Sequence, residues 1–368
     1  MKIKNISLLA LLSLGLIACG NDANTTAEEQ ATVVEESAEE VAEPTTNEGK
    51  AKEEVAEEAS EEEKDDVADS NEAHYEANIA MLSGPTSAGA INMIEKSKGE
   101  DTVFSFTESV EGAPDAVVPK LVSGEADLAI IPANLAATLY NKTEGNISVL
   151  ATNNLGVLYI VQTGEPTITS IEDLVNSGET IYASGKGATP EVAINQILTT
   201  SGFDPAEANI EYLSEASEVA QKLIAGEASV ALLPEPMVTN VLMNREDASV
   251  VLDVNELYKE STGGPLITAV LVGRDEYLDQ IDVDALLEEY KSSIDAALND
   301  VDDTAALLGK YEVMPEPVAK KALPKLALHY EDGEELKEDL STYLGSLFAA
   351  DPQLVGGILP EDDFYYSK

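Results

Sequence analysis

Cysteine is almost missing from this sequence. One thiol, Cys19, stands among 368 residues, so no internal disulfide and no cysteine-based metal site is expected. Histidine occurs only at 74 and 329, too sparse for a His/Cys zinc cluster. Arginine occurs only at 245 and 274, and 21 basic residues face 70 acidic ones. A phosphate backbone needs a basic footprint, so no nucleic acid is expected as a partner. Tryptophan is absent and aromatics make up 5% of the chain. No Gly-x-Ser-x-Gly elbow and no Gly-x-x-x-x-Gly-Lys-Ser/Thr loop occurs, and no catalytic constellation is found. The expectation is a protein that is not an enzyme and carries no cofactor and no metal.

What is present begins with the leader. Lys2 and Lys4 precede an apolar stretch from Ile6 to Ile17. That stretch is too short for a span and has the length of a secretory signal. Leu16-Ile17-Ala18-Cys19 then reads as a lipobox, with Cys19 as the acyl acceptor for palmitate-type chains. Residues 1–18 are read as a lipoprotein signal peptide. No other segment reaches eighteen apolar residues, so the lipid on Cys19 is the expected membrane anchor, on the extracytoplasmic face. Residues 20–72 hold 20 Asp and Glu against 3 Lys. Such a segment cannot bury enough apolar surface to offset the cost of ordering its backbone. Residues 19–72 are read as a lipid-anchored acidic tether.

Residues 73–368 have globular composition and carry a net charge near −34 of the chain's −49. A repeat organises them. Residues 117–132 read VVPKLVSGEADLAIIP and residues 219–234 read VAQKLIAGEASVALLP, identical at eight of sixteen positions. In each copy an apolar helical face (Val117, Val118, Leu121 and Val122; Val219, Ala220, Leu223 and Ile224) leads to Gly124 or Gly226. A glycine there suits a left-handed helix end. A short apolar run closed by Pro132 or Pro234 follows, suited to a strand buried on both faces. Upstream, Ala80 to Thr86 echoes Tyr182 to Thr189. Two βαβ-like units imply two α/β lobes with largely parallel sheets.

Residues 153–164 and 262–277 are read as strands crossing between the lobes, with hinges near 157–163 and 266–272. The expected boundaries are 73–160 for the first part of lobe I, 161–265 for lobe II and 266–368 for the completion of lobe I. Two C-terminal helices are expected at 283–298 (Leu286, Leu287, Tyr290, Ile294 and Leu298 on one face) and 334–349 (Leu336, Leu340, Tyr343, Leu344 and Leu347).

In an open α/β lobe, ligands bind beyond the carboxyl ends of the strands, facing helix N-termini. Thr86, Ser87 and Asn134 in lobe I and Lys186, Thr189 and Glu235 in lobe II are therefore candidate ligand-binding residues. Tyr159, on the first crossing segment, is a candidate stacking residue. Each has a structural alternative. Thr86, Ser87, Asn134, Thr189 and Glu235 can cap helices. Lys186 can be a solvated loop charge, and Tyr159 can be packed. Thr86, Asn134, Thr189 and Glu235 are expected to converge on one cavity.

The chain resembles the substrate-binding proteins of ABC importers, most closely the nitrate/taurine type that includes sulfonate and pyrimidine-precursor binders. Gly84-Pro85-Thr86, Gly124-Glu125-Ala126-Asp127 with Ile131-Pro132, Ser184 to Pro190, Leu233-Pro234-Glu235-Pro236 and Leu359 to Tyr365 carry the resemblance. It implies a two-lobed periplasmic-binding-protein fold of type II, α/β in class, with two hinge strands. It also implies a monomer that captures a small-molecule solute and hands it to an importer permease and its ATPase. Two alternatives stay open: a sensing lipoprotein without a permease, and an enzyme of menaquinone or thiamine-precursor type on the same fold.

Overall fold

A computed structural model describes residues 74–100 and 102–367. The leader, Cys19 and the acidic tether lie outside the described residues.

Ten strands form two sheets. The first holds β1 (Tyr75–Leu82), β2 (Phe104–Glu111), β3 (Leu128–Pro132), β4 (Ile147–Leu155) and β10 (Ile267–Arg274), in the order β2-β1-β3-β10-β4. The second holds β5 (Leu158–Thr163), β6 (Ile181–Ser184), β7 (Ile210–Leu213), β8 (Val230–Pro234) and β9 (Ala248–Asp253), in the order β7-β6-β8-β5-β9. In the first sheet β1 runs parallel to β2 and β3, while β10 is antiparallel to β3 and β4. In the second β6 runs parallel to β7 and β8, while β5 is antiparallel to β8 and β9.

The repeat is legible in the register. Ile79 pairs with Leu128 and Ala80 with Ala129; Ile181 pairs with Val230 and Tyr182 with Ala231. The two copies thus keep the spacing seen in the sequence. The repeat helices α2 (Pro114–Ser123) and α6 (Ala216–Ala225) both end in left-handed glycines, Gly124 at φ 76° and Gly226 at φ 74°. Glycine reaches that conformation without a Cβ penalty. Val122 departs from the predicted face. It is 60% exposed, because Val117 and Leu121 already cover the sheet.

Helices cover both faces of each sheet. One face of the first sheet carries α1 (Ile91–Lys96), α10 (Val283–Asn299), α11 (Val301–Lys310) and α12 (Glu316–Ala322); the other carries α2, α3 (Ala133–Lys142) and α13 (Gly333–Ala350). The second sheet has α4 (Ile171–Asn176), α5 (Thr189–Thr200) and α8 (Val254–Thr262) on one face, and α6 and α7 (Met237–Asn244) on the other. A one-turn α9 (Asp275–Leu278) follows β10. On α10, Leu286, Leu287, Tyr290 and Ile294 are buried as read from the sequence, but Leu298 is 49% exposed and Ala297 takes the inward position.

The crossings fall within the two segments read as crossing, 153–164 and 262–277, but in links shorter than the hinge strands expected there. Residues 157–163 were expected to bridge the lobes, yet β5 pairs only within the second sheet, and β10 pairs only within the first. The chain crosses at Gly156–Val157, between β4 and β5, and returns at residues 263–266, after α8. The ladder hydrogen bonds of each strand commit it to one sheet, which leaves the crossing to short links. The last long helix also does more than complete lobe I. Tyr343 and its neighbours on α13 join one apolar core with α3 and β4 of the first lobe and α5 and α8 of the second. The closing segment packs back on lobe I: Phe364 is fully buried, and Tyr366 N–H donates to Val149 O at 2.9 Å. Among the described residues, no helix is long and apolar enough to cross a membrane.

Candidate functional site

The sequence candidates fall into separate groups. Glu235 follows β8, and its side chain is fully buried. Thr239 N–H and Thr239 Oγ1 both donate to its carboxylate at 3.0 Å, which caps α7. Burial pushes the Glu235 carboxyl up, and the two Thr239 hydrogen bonds and the Lys325 charge oppose that rise. Lys325 belongs to a 3-10 turn (Leu323–Lys325) of the first lobe, and its Nζ lies 3.9 Å from Glu235 Oε1. Tyr159 Oη on β5 donates to the Lys325 carbonyl at 3.3 Å. Burial, with the charges of Asp253 and Glu235, pushes the Tyr159 phenol up to about 12. Lys325 therefore touches the second lobe twice, at the carboxyl end of β8 and at the start of β5.

On the α13 side, Thr189 at the start of α5 shares a hydrogen bond of 3.1 Å with Tyr343 Oη. Asn134 at the start of α3 donates to Leu354 O at 3.4 Å. A groove of about 270 Å³ runs between α5 and residues 350–354, with Glu191, Asn195 and Asp351 in its walls. Ser87 is fully buried and accepts from Leu82 N–H at 2.9 Å, so its hydroxyl closes the β1 loop. Lys186 is exposed. Among the described residues, no hydrogen bond or ion pair joins Thr86 or Asn134 to Thr189 or Glu235.

Three residues that the sequence reading passed over stand at the lobe I wall. Asn153 and Asn154 are fully buried at the carboxyl end of β4. A register shift opposite Ala269 and Val270 makes Asn153 the extra residue of a bulge. Its Nδ2 donates to Thr86 O at 2.8 Å and to Asn154 Oδ1 at 3.2 Å, and its Oδ1 accepts from Tyr290 Oη at 2.7 Å. Thr86 is thus held by its carbonyl. Residues 327–331 pair along the outer edge of β4, through Leu155 N–H to Ala327 O at 2.9 Å and His329 N–H to Asn153 O at 3.0 Å. That pairing sets Leu328 opposite Asn154 and Ala327 against Leu155, a few residues after Lys325. The available signal was a pair of amides ending an otherwise apolar strand just before a glycine. His329, isolated in the sequence, lies 2.7 Å from Glu331 Oε1. Burial pushes Asp339 on α13 up, the Glu331 and Glu338 charges add to the rise, and Lys259 of α8 and His329 oppose it.

A family model described as menaquinone biosynthesis matches residues 102–344. The chain belongs to that family. Among solved structures it is similar to an ABC transporter from Parabacteroides distasonis (22% identity, TM-score 0.68, covering 79% of this chain and 99% of that one). It is also similar to the periplasmic aliphatic sulphonate binding protein SsuA from Escherichia coli (12% identity, TM-score 0.62, 79% and 92%). A third likeness is to the periplasmic nitrate-binding protein NrtA from Synechocystis PCC 6803 (12% identity, TM-score 0.51, 77% and 84%). No curated protein matches the chain. The fold is that of type II periplasmic binding proteins, as the motifs implied, and the family named for menaquinone biosynthesis is placed on it.

Proposed function

We propose that this chain is an extracytoplasmic solute-binding lipoprotein. It captures a small molecule between its lobes and delivers it to the permease of an ABC importer, with lipid on Cys19 holding it at the membrane. The observation that carries this reading is the junction at Lys325. The carboxyl end of a second-lobe strand, where α/β sheets receive ligands, meets a polar wall of the first lobe beside two short inter-lobe links. Lobes joined by such links can close on a solute as rigid bodies.

The test is a thermal-shift screen of the full chain in mild detergent against sulfonates, nitrate, pyrimidines, vitamins and amines. A cognate solute at a hundred times its dissociation constant adds about 2.7 kcal/mol of stability. A chain that responds to no solute class loses this reading. The anchor is tested separately: Cys19→Ala leaves the folded domain unchanged and moves the protein from the membrane fraction to the soluble one.

The family match favours a second reading, an enzyme acting on a cleft-bound substrate. Incubation with a solute found in the screen separates the two. A binder returns it unchanged by mass spectrometry, and an enzyme converts it.

A further inference from the structure

Asn154 is fully buried, yet its Nδ2 has no hydrogen-bond partner among the described residues. The identity of that atom is fixed by its neighbour. Asn153 Nδ2 already donates to Thr86 O, so the Asn154 atom facing its other hydrogen, at 3.2 Å, is the oxygen. The amide's two N–H donors are left over. Buried polar groups are nearly always paired, because an unpaired one forfeits the water it gave up. A group left unpaired at a lobe junction calls for a partner that arrives.

We propose that the Asn154 amide is the ligand-reading donor of the cleft and takes a carbonyl oxygen of an uncharged ligand. The proposal rests on the capture reading above. The position supports it. Asn154 lies two residues before the crossing at Gly156, next to the residue that holds the Thr86 carbonyl. Leu328, which bridges to Asn154, lies three residues after Lys325, the residue that meets Tyr159 and Glu235 of the second lobe.

Charge argues for a neutral partner. Among the described residues, Lys325 is the cation that meets the second lobe at this junction, and it faces Glu235. Both arginines of the chain are engaged elsewhere. Arg245 forms a double hydrogen bond with Asp247, and Arg274 pairs with Asp127 and Glu276. No guanidinium is left to clamp an oxyanion, and the acidic chain repels anions at long range. A cation would look to Glu235, whose two oxygens are both occupied by Thr239. An unpaired donor with no uncompensated charge beside it selects an acceptor of the amide, lactam or pyrimidinone kind.

The test uses matched probes: uracil and nicotinamide as neutral carbonyls, orotate and nicotinate as their carboxylate counterparts. Each is titrated against the full chain in mild detergent and against Asn154→Leu and Asn154→Asp. The Asp variant keeps the oxygen that Asn153 needs and replaces only the donor. A neutral probe should stabilise the parent, and its apparent affinity should fall at least tenfold in both variants. Asn154→Leu removes the unpaired donor but also the acceptor of Asn153 Nδ2, so its unfolding midpoint without any probe should stay close to the parent's. A midpoint lowered by several degrees in both variants makes the amide structural and overturns the proposal. Stabilisation by orotate or nicotinate but not by the neutral pair overturns it as well. If none of the four probes acts, the carbonyl class is overturned. A response to taurine or nitrate in that case leaves the capture reading standing alone, and silence there removes both.

Discussion

Single residues in this chain repay attention to their scarcity. The only two arginines serve the repeat. A Cβ added at Gly124 would lie 3.1 Å from Arg274 Nη1, and one added at Gly226 would lie 3.1 Å from Arg245 Nη1. Each guanidinium lies against the glycine that ends a repeat helix, so neither is left for a ligand. Glu235 shows a different tension. Its folded carboxyl is raised above the usual carboxylate range by burial, so the folded protein holds a proton there more tightly than the unfolded chain does. The associated stability is full below the unfolded value and is lost as the pH rises through the folded one. Glu235→Gln can still cap α7, its oxygen accepting from Thr239 N–H and its amide donating to Thr239 Oγ1. We expect the variant to lose this part of the alkaline decline, so that its unfolding midpoint falls less than the parent's between pH 4 and pH 8. Parallel pH profiles for parent and variant would refute the assignment.

Among the elements, α13 ties the lobes together. Its Tyr343 is buried against Tyr258 of α8, with ring centroids 6.4 Å apart, and bonds Thr189 on α5. Tyr343→Phe keeps the ring and removes the hydroxyl. A lost neutral hydrogen bond costs about 0.5–1.5 kcal/mol, so a drop of that size in chemical denaturation is expected, with secondary structure unchanged in circular dichroism. This helix also marks where the sequence stopped being readable. Its inward face, Leu336 to Leu347, followed from helical periodicity, as did the buried face of α10 up to Ile294. Period alone cannot say that one face serves two lobes. The equivalence of the two lobes was legible because the repeat carries it, and the structure keeps it down to the matching pairs at Ile79 and Ile181. The crossings were legible as the segments 153–164 and 262–277 but not to the residue, because β4 and β5 read as almost continuous across Gly156. At the site, helix-start logic found Glu235 and Thr189, whose hydroxyl and carboxylate prove to be bonded within the protein. It missed Asn153, Asn154 and Lys325, whose roles arise from a bulge and from residues 327–331 added along β4. No local pattern encodes a contact between segments about 170 residues apart.

The whole molecule carries its acidity as a constraint. Residues 73–368 hold a charge near −34, and among the described residues most ion pairs have at least one exposed partner, such as Lys96 at 60% beside Glu289 or Lys291 and Asp295 at 54% each. Exposed pairs contribute about 0–1 kcal/mol each, while like charges summed over a small surface destabilise the compact state. Salt acts on both. At 0.01 M ionic strength the Debye length is about 30 Å, long enough for carboxylates across both lobes to repel one another, and at 1 M it is about 3 Å. Screening therefore removes a long-range repulsion that is unbalanced and a short-range attraction that is small. The repulsion should win. We expect the unfolding midpoint to rise steadily from 0.01 M to 1 M sodium chloride, most steeply below about 0.2 M, where the Debye length shrinks through the dimensions of a lobe. Potassium chloride should act alike, since screening depends on ionic strength and not on which cation supplies it. A midpoint that falls with salt would mean that the ion pairs outweigh the net charge, and a response to one cation alone would mean a specific site.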